Sequence, residues 1–222
     1  MVEKELPFRL ILASGSQGRR WLLEQAGYTF EVKPSHIDEP TEARLGDCRH
    51  YVAELAWLKA EAVAKHEPDG LIIAADTVGW LHGKVVGKPE DEADARRIIT
   101  SLAGTVHELW TGVCLWLRPD DWQVTWQERS LVRMKPLSDS DIDAYLKSRK
   151  WVGCSGAYAI ELPSDPYLTV EEGFASNVIG LPMESLEKAL GWVATQQSQS
   201  IAGTVRNSQA EQFPNGHRDG AE

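Results

Sequence analysis

The sequence is poor in cysteine and has no long apolar run. Its three cysteines are Cys48, Cys114 and Cys154, and no two of them have the C-x-x-C spacing of a zinc or redox motif. An odd, scattered set of cysteines disfavours a disulfide framework and indicates a reducing compartment. There is no apolar run of 18 residues, and the first residues lack a signal-peptide pattern. We therefore expect a cytoplasmic protein without a membrane partner.

Basic residues are also fewer than acidic ones. The 222 residues contain 23 lysines and arginines against 33 acidic residues, which gives a formal net charge of −10. An acidic chain is a poor non-specific partner for nucleic acid, because phosphate backbones require a positive field. We expect no nucleic-acid partner, and an anionic ligand must be held by local lysine, arginine or a metal ion. The length fits one domain or two closely joined lobes.

Residues 71–89 are the stretch around which the chain is organised. Leu71–Ala75 are small or apolar, and Asp76 follows them directly. The run predicts a buried strand of an α/β sheet, with Asp76 emerging at its end, where such folds place their sites. A second apolar run ends in Gly87-Lys88-Pro89, so an acid and a base are predicted to share one space. Two ordinary surface residues at strand ends are the alternative.

A loop of small residues follows the first predicted strand. Residues 9–13 predict the strand, residues 14–20 (SGSQGRR) the loop, and WLLEQAG a helix. Free backbone N–H groups and the helix dipole favour phosphate at such a position. Four side chains add donors or charge there: Ser14, Ser16, Arg19 and Arg20. GxxxxGK[ST] and GxGxxG are both absent, so an anion site and a solvated arginine pair both fit this loop.

Two more stretches place charged residues where their role is open. Asp38 and Glu39 follow a short predicted strand, residues 28–35, and fit either a divalent-cation site or a solvated turn. Lys59 falls near the middle of the apolar stripe of a helix predicted over residues 47–66. Its ammonium group either extends to solvent along its apolar stem or enters a site and pairs with an anion.

The second half of the chain predicts antiparallel pairing. Residues 105–118 and 122–134 flank a Pro-Asp-Asp turn and predict a hairpin, so the α/β sheet is mixed. From about residue 195 the composition becomes polar, with many Gln, Ser, Gly and Asn residues. We therefore predict a folded domain over residues 1–194 and a disordered polar tail over residues 195–222.

Eight short stretches, in order, resemble the Maf family of nucleoside triphosphate pyrophosphatases. They lie within residues 9–190 and are LASGSQGRRWLL, SHIDE, LAWLKAEAV, AADTV, GKP, AGTVHELWTGV, GAYAI and SNVIGLPME. The resemblance implies a two-lobed α/β fold of the Maf/ITPase-like type, with an elongated mixed sheet flanked by helices and a central nucleotide cleft. It also implies a homodimer.

The resemblance implies a reaction as well as a fold. A nucleoside triphosphate would be hydrolysed between its α and β phosphates with Mg²⁺ or Mn²⁺, which clears unwanted nucleotides, among them pyrimidine nucleotides. The alternative is a nucleotide-binding regulator of septum formation that needs no turnover. The implied catalytic residues are Asp38, Lys59, Asp76 and Lys88. The implied metal ligands are Asp38, Glu39 and Asp76. Asp76 is either the general base or a metal ligand.

The residues expected to bind substrate do not agree on one base. They are Ser14, Ser16, Gly18, Arg19, Arg20, Thr77 and Glu161. Gly18 stands where the family has an arginine in its dTTP and UTP enzymes and an aromatic residue in its 7-methyl-GTP enzymes. Glu161 replaces a glutamine, and a carboxylate favours a base edge that presents N–H groups. Thr77 keeps the pattern of the pyrimidine enzymes, so the preferred base stays open.

Overall fold

The computed structural model describes residues 4–39, 47–160 and 164–210, and within them seven strands form one mixed sheet. The strands are β1 (Leu10–Leu12), β2 (Glu31–Val32), β3 (Gly70–Leu81), β4 (Lys84–Val86), β5 (Val106–Arg118), β6 (Trp122–Met134) and β7 (Leu168–Glu172). Their order is β2-β1-β3-β5-β6-β7, with β4 also paired to β3. Strands β1, β2 and β3 are parallel, and the other pairs are antiparallel. The predicted mixed α/β sheet with helices on its faces is confirmed.

Side-chain caps explain where four of the helices begin. The helices are α1 (Gln17–Gln25), α2 (Cys48–Ala64), α3 (Glu92–Leu102), α4 (Asp139–Lys147), α5 (Ala175–Ile179) and α6 (Met183–Ala210). Ser16, Asp47, Asp91 and Ser138 each accept a hydrogen bond from a backbone N–H in the first turn of α1 to α4. Such caps satisfy donors that a helix start leaves unpaired.

Helices cover both faces of the sheet, so its central strand is buried on both sides. Leu71 and Ile73 of β3 pack in one apolar cluster with residues of α1 and α6. Ile72 and Ala74 point the other way and pack against α2. Successive side chains of a strand point to opposite faces, which is why this run is apolar without alternation.

β3 does not end at Asp76, contrary to the prediction. Strand β5 pairs with it in unbroken register from Gly70 to Trp80, which keeps β3 extended well beyond the apolar run. On its other edge, β1 pairs with residues 71–73 and β4 with residues 79–81. Among the described residues, nothing pairs with that edge over residues 74–78. Asp76 therefore lies at an opening in the sheet edge rather than at a strand end.

The last helix extends beyond the predicted domain boundary. α6 continues through residue 195, where a disordered tail was expected, and ends at Ala210. Leu186, Leu190 and Val193 are buried and anchor its first half in the core. Gln197 Nε2 donates a hydrogen bond to Asp120 Oδ2 over 2.9 Å. A polar composition fits the solvated surface of a helix as well as disorder, and the domain boundary at residue 194 stays a prediction. Residues 211–222 lie outside the described ranges.

Candidate active site

A cleft of about 910 Å³ opens at the unpaired edge of β3. Its walls come from residues 13–19 and from the segment that follows β2. Elements α2, β3 and β5, residues 152–160 and the end of α5 complete them. Asp76 and Thr77 both line it, although successive side chains of a strand point to opposite faces. They therefore border the cleft from the two sides of β3, which is possible because no neighbouring strand covers that edge.

An ion group of Glu39, Lys59 and Asp76 lies at one end of the cleft. Lys59 Nζ is 2.5 Å from Asp76 Oδ1 and 2.7 Å from Glu39 Oε1. Lys59 and Asp76 are 9% and 7% exposed. The open role of Lys59 is thus resolved in favour of a buried ion pair rather than extension to solvent.

Positive charge around Glu39 favours its carboxylate form. Burial by itself would raise the pKa of Glu39, but the hydrogen bond from Lys59 and the charges of Lys59, Lys88 and Arg19 outweigh it and lower the pKa overall. Lys88 lines the same cleft as Asp76. The acid and the base therefore share one space as the sequence predicts, although the direct ion pair with Asp76 is made by Lys59.

Gly112 explains how α2 brings Lys59 to Asp76. Gly112 is directly opposite Asp76 in the pairing of β3 with β5. A Cβ atom at Gly112 would lie 2.1 Å from the carbonyl oxygen of Val52, so the α2 backbone rests directly on the glycine. Lys59 is two helical turns further along α2 than Val52. The absence of a side chain at position 112 therefore sets the height of α2 above the sheet.

Arg19 forms the wall opposite Lys59 at the charged end of the cleft. Its Nε donates to the Gly180 carbonyl over 2.7 Å, Nη1 to Ser14 Oγ over 3.0 Å and Nη2 to Thr77 Oγ1 over 3.2 Å. Burial lowers the pKa of Arg19, and the charges of Asp76 and Glu39 oppose that shift. The forked guanidinium thus joins the α1 loop, β3 and the end of α5.

Nine of the predicted site residues line the cleft together, and two other described ones do not. The nine are Ser14, Ser16, Gly18, Arg19, Glu39, Lys59, Asp76, Thr77 and Lys88. Asp38 is exposed and is not part of the lining. Arg20 is exposed too, and its Nε donates to Glu24 Oε1 over 2.7 Å. Glu161 lies outside the described residues.

The predicted metal ligands do not form a set of three. Across residues 4–39, 47–160 and 164–210 there is no group of three His, Cys, Asp or Glu side chains suited to hold a metal ion. Asp38 is exposed and does not line the cleft. Glu39 and Asp76 remain as two carboxylates that meet at one ammonium group.

Gly18, in the first turn of α1, lies close to the end of α5. A Cβ atom there would lie 3.0 Å from Ile179 Cγ2 and 3.2 Å from the Ile179 carbonyl oxygen. A larger residue needs α5 to move by a few tenths of an ångström. The glycine therefore allows the end of α5 to approach the loop and to present its Gly180 carbonyl to Arg19.

The other end of the cleft is apolar and contains one residue that the sequence reasoning missed. Its lining includes Leu102, Leu109, Met134, Leu168 and Val178, together with His107. His107 is 5% exposed, and its Nδ1 has no hydrogen-bond partner in the described structure. Burial lowers the pKa of His107 to about 4. A lone histidine on the inward-facing positions of a buried strand was the signal that could have found it.

Comparison with known proteins places the chain in a family. The profile described as Maf-like protein matches residues 9–193. The chain belongs to the Maf-like protein family. This confirms the resemblance drawn from the eight motifs.

Relatives of this Maf-like chain share one named activity. Proteins of Rhodopirellula baltica and an Anaeromyxobacter strain are each 39% identical over 189 residues, covering 83% of this chain and 82% and 89% of their own lengths. A Bacillus cereus protein is 35% identical over 182 residues, covering 82% of this chain and 88% of its own length. All three are named dTTP/UTP pyrophosphatase. The predicted enzyme class, nucleoside triphosphate pyrophosphatase, agrees with these names.

The described helices of this Maf-like chain give no membrane span. None of them is both long enough and apolar enough to cross a bilayer. The cytoplasmic location and the homodimer stay predictions.

Proposed function

We propose that this chain hydrolyses nucleoside triphosphates at the α–β phosphoanhydride to a nucleoside monophosphate and pyrophosphate. The observation that carries the proposal is the buried contact of Lys59 with Asp76 at the charged end of a nucleotide-sized cleft. Membership of the Maf-like family and the names of its relatives support it.

The preferred substrates in this proposal are dTTP and UTP. The relatives that carry those substrates in their names match more than four-fifths of this chain. Thr77, which lines the cleft and accepts a hydrogen bond from Arg19, keeps the pattern of pyrimidine enzymes. Gly18 supports a close approach of α5 instead of an arginine contact, so base selection in this chain rests on other residues.

Asp76 is the residue that we propose to orient the attacking water and accept its proton. One of its oxygens is fixed by Lys59, and the residue lines the cleft. The water oxygen forms a bond to the α phosphorus while the bond from that phosphorus to the α–β bridging oxygen breaks. Pyrophosphate leaves with the bridging oxygen and its electron pair.

Positive groups around the cleft offset the charge that develops on the leaving pyrophosphate. Lys88 lines the cleft and forms no ion pair among the described residues, and Arg19 faces the charged end through its guanidinium. The loop before α1 adds backbone N–H groups at a helix start that Ser16 caps. Groups fixed in advance stabilise developing charge better than mobile water does.

A divalent cation, Mg²⁺ or Mn²⁺, is part of the proposal. Glu39 and Asp76 fit it, because both carboxylates already meet at one cationic group. Magnesium in nucleotide enzymes commonly takes one or two carboxylates together with substrate phosphates and waters. Glu39 would supply a carboxylate ligand, while Asp76 keeps its proposed role as the general base. Bound there, the cation supplies charge that offsets the triphosphate.

A panel of nucleoside triphosphates with Mg²⁺ tests the proposal. We expect the purified chain to release pyrophosphate from dTTP and UTP, and to require the metal. In ¹⁸O-labelled water the label should appear in the monophosphate, because the attack is at the α phosphorus. Release of orthophosphate in place of pyrophosphate would contradict α–β cleavage, and label in pyrophosphate would contradict attack at the α phosphorus. Tight binding of nucleotide without turnover would favour the regulatory alternative.

A further inference from the structure

A distant segment of the chain is hydrogen-bonded to the residues directly before Lys88. Ser155 Oγ donates a hydrogen bond to the Val86 carbonyl over 2.9 Å. The backbone N–H of Gly156 donates to the Gly87 carbonyl over 2.9 Å. Two consecutive carbonyl groups that precede Lys88 therefore have partners in one segment, and Ser155 supplies one of these partners with its side chain.

Residues 151–157, which contain both donors, are anchored in the core. Trp151 and Ala157, at the two ends of the segment, are buried in the apolar cluster that α3 and α4 form on the sheet. Trp151 Nε1 also donates to the Leu146 carbonyl over 3.1 Å. Gly156 has a φ of 72°, a left-handed conformation that glycine adopts without strain. A segment that is anchored at both ends can hold the chain to which it is hydrogen-bonded.

Strand β4 by itself gives Lys88 little support. β4 has three residues and, within the described part of the chain, pairs with β3 only. Lys88 follows it in an exposed position. Pro89 disfavours helical backbone conformations at Lys88 and so limits the chain on its far side. The hydrogen bonds from residues 155 and 156 fix the near side, so the point from which the lysine side chain enters the cleft is defined from both directions.

The hydroxyl group of Ser155 acts on Lys88 rather than on a phosphate. Both residues line the cleft, as does Val86. A serine hydroxyl has one proton to donate, and the Val86 carbonyl accepts that of Ser155. The oxygen keeps only acceptor lone pairs, which repel a phosphate oxygen. Contact with a triphosphate is thus left to the ammonium group of Lys88.

We propose that Ser155 is a positioning residue that holds Lys88 towards the leaving pyrophosphate. The inference rests on the proposed function, in which Lys88 offsets the charge that develops on that group. Without the Ser155 hydroxyl, the Val86 carbonyl loses its partner and the chain before Lys88 gains freedom. A charged group stabilises a transition state best when its position is fixed in advance. The loss therefore affects kcat more than substrate binding.

Serine variants of the full-length chain test the positioning role. We expect Ser155→Ala to lower kcat for UTP about fivefold, the effect of one hydrogen bond, with KM changed by less than about twofold. Ser155→Thr keeps a hydroxyl group and should retain most of the activity. Ser148→Ala is the matched control, because Ser148 Oγ donates to the Tyr145 carbonyl but does not line the cleft. Equal kcat in Ser155→Ala and Ser148→Ala would overturn the proposal.

A double variant separates positioning from a general loss of structure. Lys88→Met should itself lower kcat, and adding Ser155→Ala to it should cause no further loss, because the hydroxyl acts only through Lys88. A further fivefold loss in the double variant would overturn the proposal, since the effect of Ser155 would then be independent of Lys88.

Amide hydrogen exchange keeps this test separate from that of the proposed function. A wild type that turns over no nucleoside triphosphate would contradict the proposed function, but exchange at residues 86–88 needs no reaction. We expect faster exchange there in Ser155→Ala than in wild type or Ser148→Ala. Exchange that Ser155→Ala leaves unchanged would overturn the positioning role even if wild type is active.

Discussion

Lys59 of α2 and Asp76 of β3 form an ion pair of 2.5 Å. Both residues are almost fully buried. Glu39 reaches the same ammonium group from the segment after β2. A charge removed from water needs partners of the opposite sign. The pair therefore fixes the position of α2 relative to the opening in β3 and defines the charged end of the cleft.

Replacing Asp76 should remove the proposed general base. We expect Asp76→Asn to lower kcat for pyrophosphate release by about 10² to 10⁴, the usual contribution of such a group. Nucleotide binding, measured by calorimetry, should persist. Near wild-type turnover of every nucleotide in the panel would show that Asp76 is not the base.

Removing one partner of the ion pair should destabilise the fold. Lys59→Met leaves Asp76 buried without its nearest cation, and we expect the free energy of unfolding in urea to fall by about 3 kcal/mol. Adding Asp76→Leu to that variant should restore much of the loss without restoring activity. A double variant no more stable than Lys59→Met would contradict this account of the pair.

A side chain at position 112 should displace α2. Because the Cβ of Gly112→Ala would meet the Val52 carbonyl oxygen at 2.1 Å, we expect a loss of about 3 kcal/mol in unfolding free energy, together with reduced kcat. Gly191→Ala is the matched control, since a Cβ there meets nothing within 4 Å and alanine favours a helix. Equal stability of the two variants would refute direct packing of α2 on Gly112.

The two adjacent arginines should respond differently to the same substitution. Arg19→Lys loses the fork that bonds three acceptors at once, so we expect KM for UTP to rise about tenfold or more. Arg20→Lys is the matched control, because Arg20 is exposed and paired with Glu24. An equal rise in both variants would place Arg20 in the site as well.

Histidine 107 should make the free protein sensitive to acid. Its folded-state pKa, about 4, is below the ordinary value of 6.5, so the unfolded chain binds a proton first as pH falls. Stability should therefore decline from about pH 6.5 towards pH 4, by at most about 1.4 kcal/mol per pH unit. The free energy of unfolding in urea should fall less for His107→Leu than for wild type over that pH interval. Parallel curves for the two proteins would contradict a neutral buried His107.

Much of the fold is encoded over short stretches of sequence. The buried run at residues 71–75, the hairpin of β5 with β6 and the capping box at Ser138 all follow from local pattern. Local pattern also marked Lys59, because a cation in an apolar helical stripe is rarely without a partner. The eight motifs were sufficient to indicate the family, since their order is a property of the sequence alone.

Other features depended on contacts between distant segments. Arg19 and Arg20 differ by about 100° around α1, and only the position of α5 decides which one faces the cleft. Glu39 rather than Asp38 meets Lys59 for a similar reason. His107 became visible as a site residue only when the walls around its Nδ1 were known. Sequence thus determined the residue types and the local elements, whereas tertiary packing decided which side chains share the cleft.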